Sequence, residues 1–158
     1  MVKLLLLCIL AICGSADFFW GGCPKYNPVS NFDTQRYLGQ WYEIARTNVP
    51  YRTTGKCNRA HYAMMDNGNI DVTNKCLEET GYRTVKGEAT CTPGVGKCWV
   101  AFSKYAPWAD YSVLDVNYDT HSVILSCTSF WFFHFEYAWI LGRTMDFDYE
   151  KVVGGLES

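Results

Sequence analysis

The residues of this 158-residue chain best equipped for chemistry are its eight cysteines, its three histidines and its carboxylates. Their spacing argues against both catalysis and a metal centre. His61, His121 and His134 stand far apart, and no GxSxG, HExxH, GxGxxG or P-loop pattern occurs, so no nucleophile, zinc pair or phosphate cradle is set up. The cysteines contain no Cys-x-x-Cys pair of the kind a zinc site uses, and no metal or other cofactor is expected. Cysteines can instead crosslink. Cys8 and Cys13 fall in the N-terminal segment, leaving Cys23, Cys57, Cys76, Cys91, Cys98 and Cys127. An even set of six reads as a disulfide framework, with 15 possible connectivities.

That reading needs an oxidising compartment, and the N-terminus supplies the route to one. Lys3 precedes an apolar run from Leu4 to Ile12, followed by the small residues Gly14-Ser15-Ala16. Residues 1–16 are therefore expected to be a signal peptide cleaved before Asp17, leaving residues 17–158 as one secreted, extracellular domain. The formal net charge is −2, and losing Lys3 makes the remainder one unit more negative, which excludes a nucleic-acid partner. Aromatic residues reach 16% against 19% charged, which suits a lined cavity and equally a dense β core.

The remaining chain breaks into short β-branched and aromatic segments separated by Gly, Asn, Asp and Pro. Eight strands are expected, over 39–47, 57–65, 69–76, 83–91, 98–104, 111–116, 121–127 and 135–143. Asp66-Asn67-Gly68-Asn69 is the strongest hairpin signal, and Pro93-Gly94-Val95-Gly96 marks another turn. Cys91 and Cys98 are symmetric about that second turn, so they would face each other across it and could bridge. Asp146 to Gly155 reads as one or two turns of helix with Asp146 or Asp148 as cap. The fold class is all-β: an eight-stranded antiparallel up-and-down barrel with a short C-terminal helix.

Three separated blocks give this barrel a family. They are Asn31-Phe32-Asp33 through Ile44 with Gly39-Gln40-Trp41, then Val113 through Asp119, then Phe133 through Thr144 with Gly142-Arg143-Thr144. The chain resembles the lipocalins, in their apolipoprotein D-like branch. The resemblance implies a barrel whose floor is built by Gly39, Trp41 and Arg143, the guanidinium lying over the indole. It also implies a Cys23–Cys127 bridge tying the N-terminal segment to the seventh strand. Cys57 and Cys76 are then left to pair, although strand alternation puts Cys76 inward and Cys57 outward.

Alternation from the floor residues turns Leu141, Trp139 and Tyr137 inward on the last strand. Ala60, Tyr62 and Met64, then Val72 and Asn74, then Val100 and Phe102 do the same on three others. The residues expected to touch a ligand are Tyr62, Val72, Asn74, Phe102, Tyr137 and Trp139, and the resemblance points to Tyr62, Asn74, Phe102 and Trp139 among them. They would form an aromatic wall with one amide. The alternative is that these side chains fill a small barrel solid. Parity also sends Glu43 inward, which calls for a bulge or a cation partner. Phe130-Trp131-Phe132-Phe133 falls in the loop at the barrel mouth. Either Phe130, Trp131 and Phe132 are exposed to contact a membrane, lipoprotein or partner, or the strand there is longer and buried. The expected function is a secreted, non-enzymatic carrier of a small hydrophobic ligand such as a fatty acid, sterol or retinoid. The alternatives are a bilin- or carotenoid-binding lipocalin, or a module acting through its aromatic mouth.

Overall fold

The computed structural model describes residues 17–47, 56–150 and 152. The expected signal peptide lies outside the described residues. The elements in chain order are β1 (Asp17–Trp20), β2 (Ser30–Phe32), α1 (Thr34–Tyr37), β3 (Gly39–Arg46), β4 (Lys56–Met64), β5 (Ile70–Glu78) and β6 (Gly81–Cys91). They continue as β7 (Gly94–Val95), β8 (Lys97–Ala101), β9 (Ala109–Asn117), β10 (His121–Phe130) and β11 (Phe133–Gly142).

Strands β3, β4, β5, β6, β8, β9, β10 and β11 pair in that order, all antiparallel, and β11 returns to β3 to close the barrel. Local chemistry explains the corners. Between β4 and β5, Gly68 takes φ +85° and the Asn69 amide donates to Asn67 Oδ1 at 3.0 Å, a turn that an Asn-Gly pair accommodates without steric cost. Asp33 caps α1 by accepting from the Arg36 amide at 3.1 Å. The chain then turns into β3 through Gly39 at φ +93°, a backbone conformation that any side chain would strain.

Closure is completed by an element that the sequence reading lacked. β3 pairs with β11 only over its floor half, from Gly142↔Tyr42 to Trp139↔Arg46. Beyond that point β1 takes over the same edge, from Asp17↔Glu136 to Trp20↔Phe133. The unpaired upper edge of β11 is thereby covered. The signal was the run Asp17-Phe18-Phe19-Trp20, three adjacent aromatics beginning where the mature chain was expected to start.

Two disulfides pin the frame. Cys23–Cys127 has a Cα–Cα distance of 6.0 Å, and Cys91–Cys98 joins directly opposed residues of β6 and β8 at 4.0 Å. The expected Cys57–Cys76 bridge is corrected, because Cys76 is a free, buried thiol. The β4–β5 register is irregular between Lys56, opposite Leu77, and Arg59, opposite Lys75. The ladder therefore does not hold the two cysteines as a regular opposed pair. At the C-terminal end Asp148, not Asp146, provides the cap, accepting from the Glu150 amide at 3.3 Å. The helix expected there is described only as far as the turn containing Glu150 and Val152. Among the described residues no helix is long and apolar enough to cross a membrane.

Candidate functional site

The site is the barrel lumen, which is built upward from its floor. Arg143 lies 3.6 Å from the centroid of the fully buried Trp41 ring. Its Nε donates to the Tyr118 carbonyl at 2.8 Å, and its two terminal nitrogens donate to the carbonyls of Gln40 at 2.8 Å and Arg36 at 2.9 Å. One planar fork thus ties β11 to the β9–β10 turn, to β3 and to α1. Burial lowers the Arg143 pKa from its ordinary value, yet a guanidinium remains a cation at physiological pH. Trp41 completes the plug by donating from its indole N–H to the Tyr37 carbonyl at 2.8 Å.

Above this plug sits a chain of hydroxyls. Tyr37 Oη is 2.8 Å from Tyr111 Oη and 3.2 Å from Ser122 Oγ, and Tyr111 Oη is 3.2 Å from Tyr62 Oη. The Tyr37 and Tyr62 rings stack with centroids 5.7 Å apart. Burial, above all, pushes the phenols of Tyr37 and Tyr111 well above their ordinary range. Both stay neutral donors and acceptors rather than bases. Tyr62, expected to touch ligand, faces inward and joins this hydroxyl chain, and neither Tyr37 nor Tyr111 was identified from the sequence. Tyr37 precedes the first barrel strand, so strand alternation could not place it.

Accessibility of the inward faces changes with height. Trp41, Val72, Ile124 and Leu141 near the floor are buried, whereas Tyr137, Trp139 and Val100, which also point inward, are only partly covered. A side chain pointing into a closed wall meets solvent through an open end, so the coverage of the inward faces falls from the floor upward. Phe102 differs from expectation. β8 ends at Ala101, and Phe102 stands just past it, 38% exposed. It keeps its inward side nonetheless, because Gly87 pairs with inward-facing Val72, and a Cβ on Gly87 would meet the Phe102 ring at 2.7 Å. The missing side chain at Gly87 is the space that the Phe102 ring uses. Met64, expected inward, is 38% exposed where β4 ends.

The lumen has two unlike walls. β11 contributes Tyr137 and Trp139, whose rings are 6.3 Å apart. Opposing them in character is a polar wall on β3, β4 and β5. There Asn74, opposite Ala60, has a buried Oδ1 with no hydrogen-bond partner. Also facing inward, on β3, Glu43 Oε1 accepts from Asn58 Nδ2 at 2.9 Å and lies 3.4 Å from Arg46 Nε. Residues three apart on a regular strand face opposite ways. The β3–β11 register shift, with Leu141 opposite Glu43 but Ile140 opposite Ala45, inserts Ile44 as an extra residue and brings Arg46 inward with Glu43. A bulge and a cation partner both accompany the inward carboxylate.

The mouth carries the exposed aromatics. Phe130 and Phe133 pair across a two-residue turn at whose tip Trp131 adopts φ +37° and is fully exposed. Phe132 is 58% exposed and stacks on Trp20 at 5.8 Å. The strands do lengthen to reach Phe130 and Phe133, but the turn is not buried. Two grooves of about 490 and 370 Å³ lie on the outer wall. In the first, Tyr26, Lys97 and Ser112 all bond Asp110, which leaves little unmet polarity for a guest. Cys127, His134 and Glu136 come together near β1, but the sulfur is in the bridge to Cys23 and His134 Nδ1 faces the Gly21 carbonyl at 3.0 Å. That grouping offers no thiolate to a metal.

A closed eight-strand barrel with a Trp–Arg floor defines the class. A family model described as a lipocalin-like domain matches residues 32–157, and the chain belongs to the lipocalin family. Within it the chain falls in the apolipoprotein D-like branch. It is 42% identical over 131 residues to apolipoprotein D of Rattus norvegicus, covering 80% of this chain and 69% of that one. It is 38% identical over 149 residues to apolipoprotein D of Bos taurus, covering 90% and 78%. Among solved structures it is similar to insecticyanin from Manduca sexta, with a TM-score of 0.78 at 25% identity, covering 90% of this chain and 80% of that one. Lobster apocrustacyanin A1, at 22% identity with a TM-score of 0.65, shares the fold, covering 77% of this chain and 68% of that one.

Proposed function

We propose that this protein is an extracellular carrier that holds one small hydrophobic molecule with a polar end inside the barrel and does not transform it. The observation that carries this reading is Asn74 Oδ1, an acceptor buried in the lumen wall without a donor. Leaving such a group unpaired costs about 1–3 kcal/mol, and a guest that supplies an O–H or N–H removes that cost while its apolar body lies against Tyr137 and Trp139. Val72 and Phe102 complete the apolar surface it meets. Similarity to proteins named apolipoprotein D accords with a lipid-like guest.

The test is titration of the purified protein with a long-chain alcohol, reading tryptophan emission, with Trp139→Phe identifying the responding indole. Saturable one-to-one quenching that Trp139→Phe abolishes, and that Asn74→Leu weakens about tenfold, supports the carrier. A linear, unsaturable response refutes it. A visible absorption band in natively purified material would identify the guest as a pigment.

The fully exposed Trp131, flanked by Phe130 and Phe132 at the mouth, favours a second reading in which the cup opens against a membrane or lipoprotein surface. Trp131→Ser with Phe132→Ser should reduce flotation with liposomes, and unchanged flotation removes this reading.

A further inference from the structure

The outer wall of β4, β5 and β6 gathers positive charge that a carrier of apolar guests does not use. Ala60, Tyr62, Val72, Asn74 and Val85 point inward, so by alternation Arg59, His61, Thr73, Lys75, Thr84 and Lys86 point outward. The registers set them in two adjacent rows. Arg59 is opposite Lys75 and Lys75 opposite Thr84, then His61 is opposite Thr73 and Thr73 opposite Lys86. Neighbouring strands lie about 4.8 Å apart and alternate residues about 6.8 Å, so Arg59, Lys75 and Lys86 form one compact cationic field. His61, Lys75 and Lys86 are exposed, whereas Arg59 is half-buried with its guanidinium 5.3 Å from the centroid of the Tyr82 ring. Among the described residues no carboxylate pairs with Arg59, Lys75 or Lys86. The next row on this face is acidic, Asp71 opposite Glu88, but Asp71 accepts from Thr73 Oγ1 at 3.2 Å and Glu88 from the amides of Asn67 and Asn69 at 3.3 and 2.6 Å. Arg59 directly opposite Lys75 is a like-charge pair, which destabilises a sheet. Here too lies the groove of about 370 Å³, lined by Gln40, Arg59, His61, Thr73 and Lys75.

We propose that this wall is a docking surface for a sulfated glycosaminoglycan, which would hold the protein on the extracellular matrix. The proposal goes beyond the carrier reading and shares with it only the extracellular setting. A linear polyanion lying along the groove sets sulfates against Arg59, Lys75 and Lys86 and accepts hydrogen bonds from His61 and the Thr84 hydroxyl. Its charge offsets the repulsion between Arg59 and Lys75. The attraction is local to this wall, because the chain as a whole has a formal net charge of −2. An anionic membrane fits less well. The two rows hold no exposed apolar anchor, and in the closed strand order β5 stands across the barrel from β10, whose hairpin with β11 carries the exposed Trp131. A bilayer met by that hairpin leaves this wall facing away.

The test is fluorescence anisotropy of a labelled heparin oligosaccharide titrated with the oxidised full chain at physiological ionic strength, where exposed charges more than about 8 Å apart are largely screened. Saturable binding is expected. Lys75→Glu with Lys86→Glu should weaken it at least about tenfold, whereas Lys104→Glu, which reverses an exposed charge beyond β8, should change it by less than about twofold. Chemically desulfated heparin should bind at least about tenfold more weakly than heparin. Should the double Glu variant melt well below wild type, Lys75→Gln with Lys86→Gln serves in its place. It adds no charge beside Asp71 and Glu88 and should weaken binding at least about threefold. No binding to heparin, binding that these variants or desulfation leave unchanged, or binding to phosphatidylserine vesicles and not to heparin overturns the proposal. These outcomes leave the carrier reading untouched, since lumen occupancy is read separately with the long-chain alcohol.

Discussion

Replacing Arg143 by methionine keeps the aliphatic stem and deletes the guanidinium, so it isolates what the fork contributes to the floor. Two of its hydrogen bonds, to the carbonyls of Tyr118 and Gln40, are partly buried, while the third, to Arg36, is exposed. Hydrogen bonds from a charged donor contribute about 1.5 kcal/mol each at the low end of their range, and the exposed one much less. The contact over Trp41 at 3.6 Å adds about 1 kcal/mol. The expected loss is about 4 kcal/mol, which for a domain of this size lowers the melting temperature by about 10 °C. Arg143→Lys retains a cation above the indole but reaches fewer carbonyls, so its loss should be about half as large. Calorimetry or thermal circular dichroism on the oxidised proteins measures both. If Arg143→Met melts within about 2 °C of wild type, or Arg143→Lys is as damaged as Arg143→Met, the floor does not derive its strength from the fork.

Other outcomes follow from the same geometry. Tyr37 and Tyr111 hold their protons more tightly folded than unfolded, so their contribution is complete below the unfolded tyrosine pKa of about 10. Above that pH the unfolded chain releases protons that the native state retains, and stability falls as pH rises. Urea midpoints should be flat in this respect from about pH 7 to 9 and drop beyond about pH 10, less steeply in Tyr111→Phe. A uniform slope unaffected by Tyr111→Phe would contradict the buried hydroxyl chain. Gly87→Ala should cost about 1–3 kcal/mol, because its Cβ meets the Ala101 carbonyl and the Phe102 ring, both at 2.7 Å. Neutral stability there would mean that Phe102 does not occupy the inward face. Alkylation of the unreduced, denatured chain should label Cys76, read by peptide mass spectrometry, and a Cys57–Cys76 crosslinked peptide would contradict its free state.

The barrel was legible because its information is periodic. Alternation through Trp41, Val72, Leu141 and Trp139 and the Asn-Gly turn at Gly68 place each strand and its inward face from local pattern alone. Cys91 and Cys98 were readable for the same reason, since a hairpin brings symmetric positions together. What escaped is non-local or irregular. β1 is adjacent to β11 only in space, and Asp17 to Trp20 contain no alternation by which to judge them. Tyr37 enters the lumen from a one-turn helix, so no strand period reaches it. The Ile44 bulge inverts parity within a single residue, so Arg46 could not be counted as inward although Glu43 could. Phe102 depended on where β8 stops, and strand ends are decided by the closure of the whole barrel rather than by the residues at the end.

The central claim is that a guest occupies the lumen, and methyl NMR tests it most directly. With Val, Leu and Ile methyls labelled, saturating dodecanol should shift Val72, Val100 and Leu141, which line the cup, and leave the outward-facing Ile44 unmoved. Intermolecular contacts from the alkyl chain to Trp139 should accompany those shifts. Shifts restricted to the outer wall or the aromatic mouth, with Val72 and Leu141 unchanged at saturation, would contradict the account.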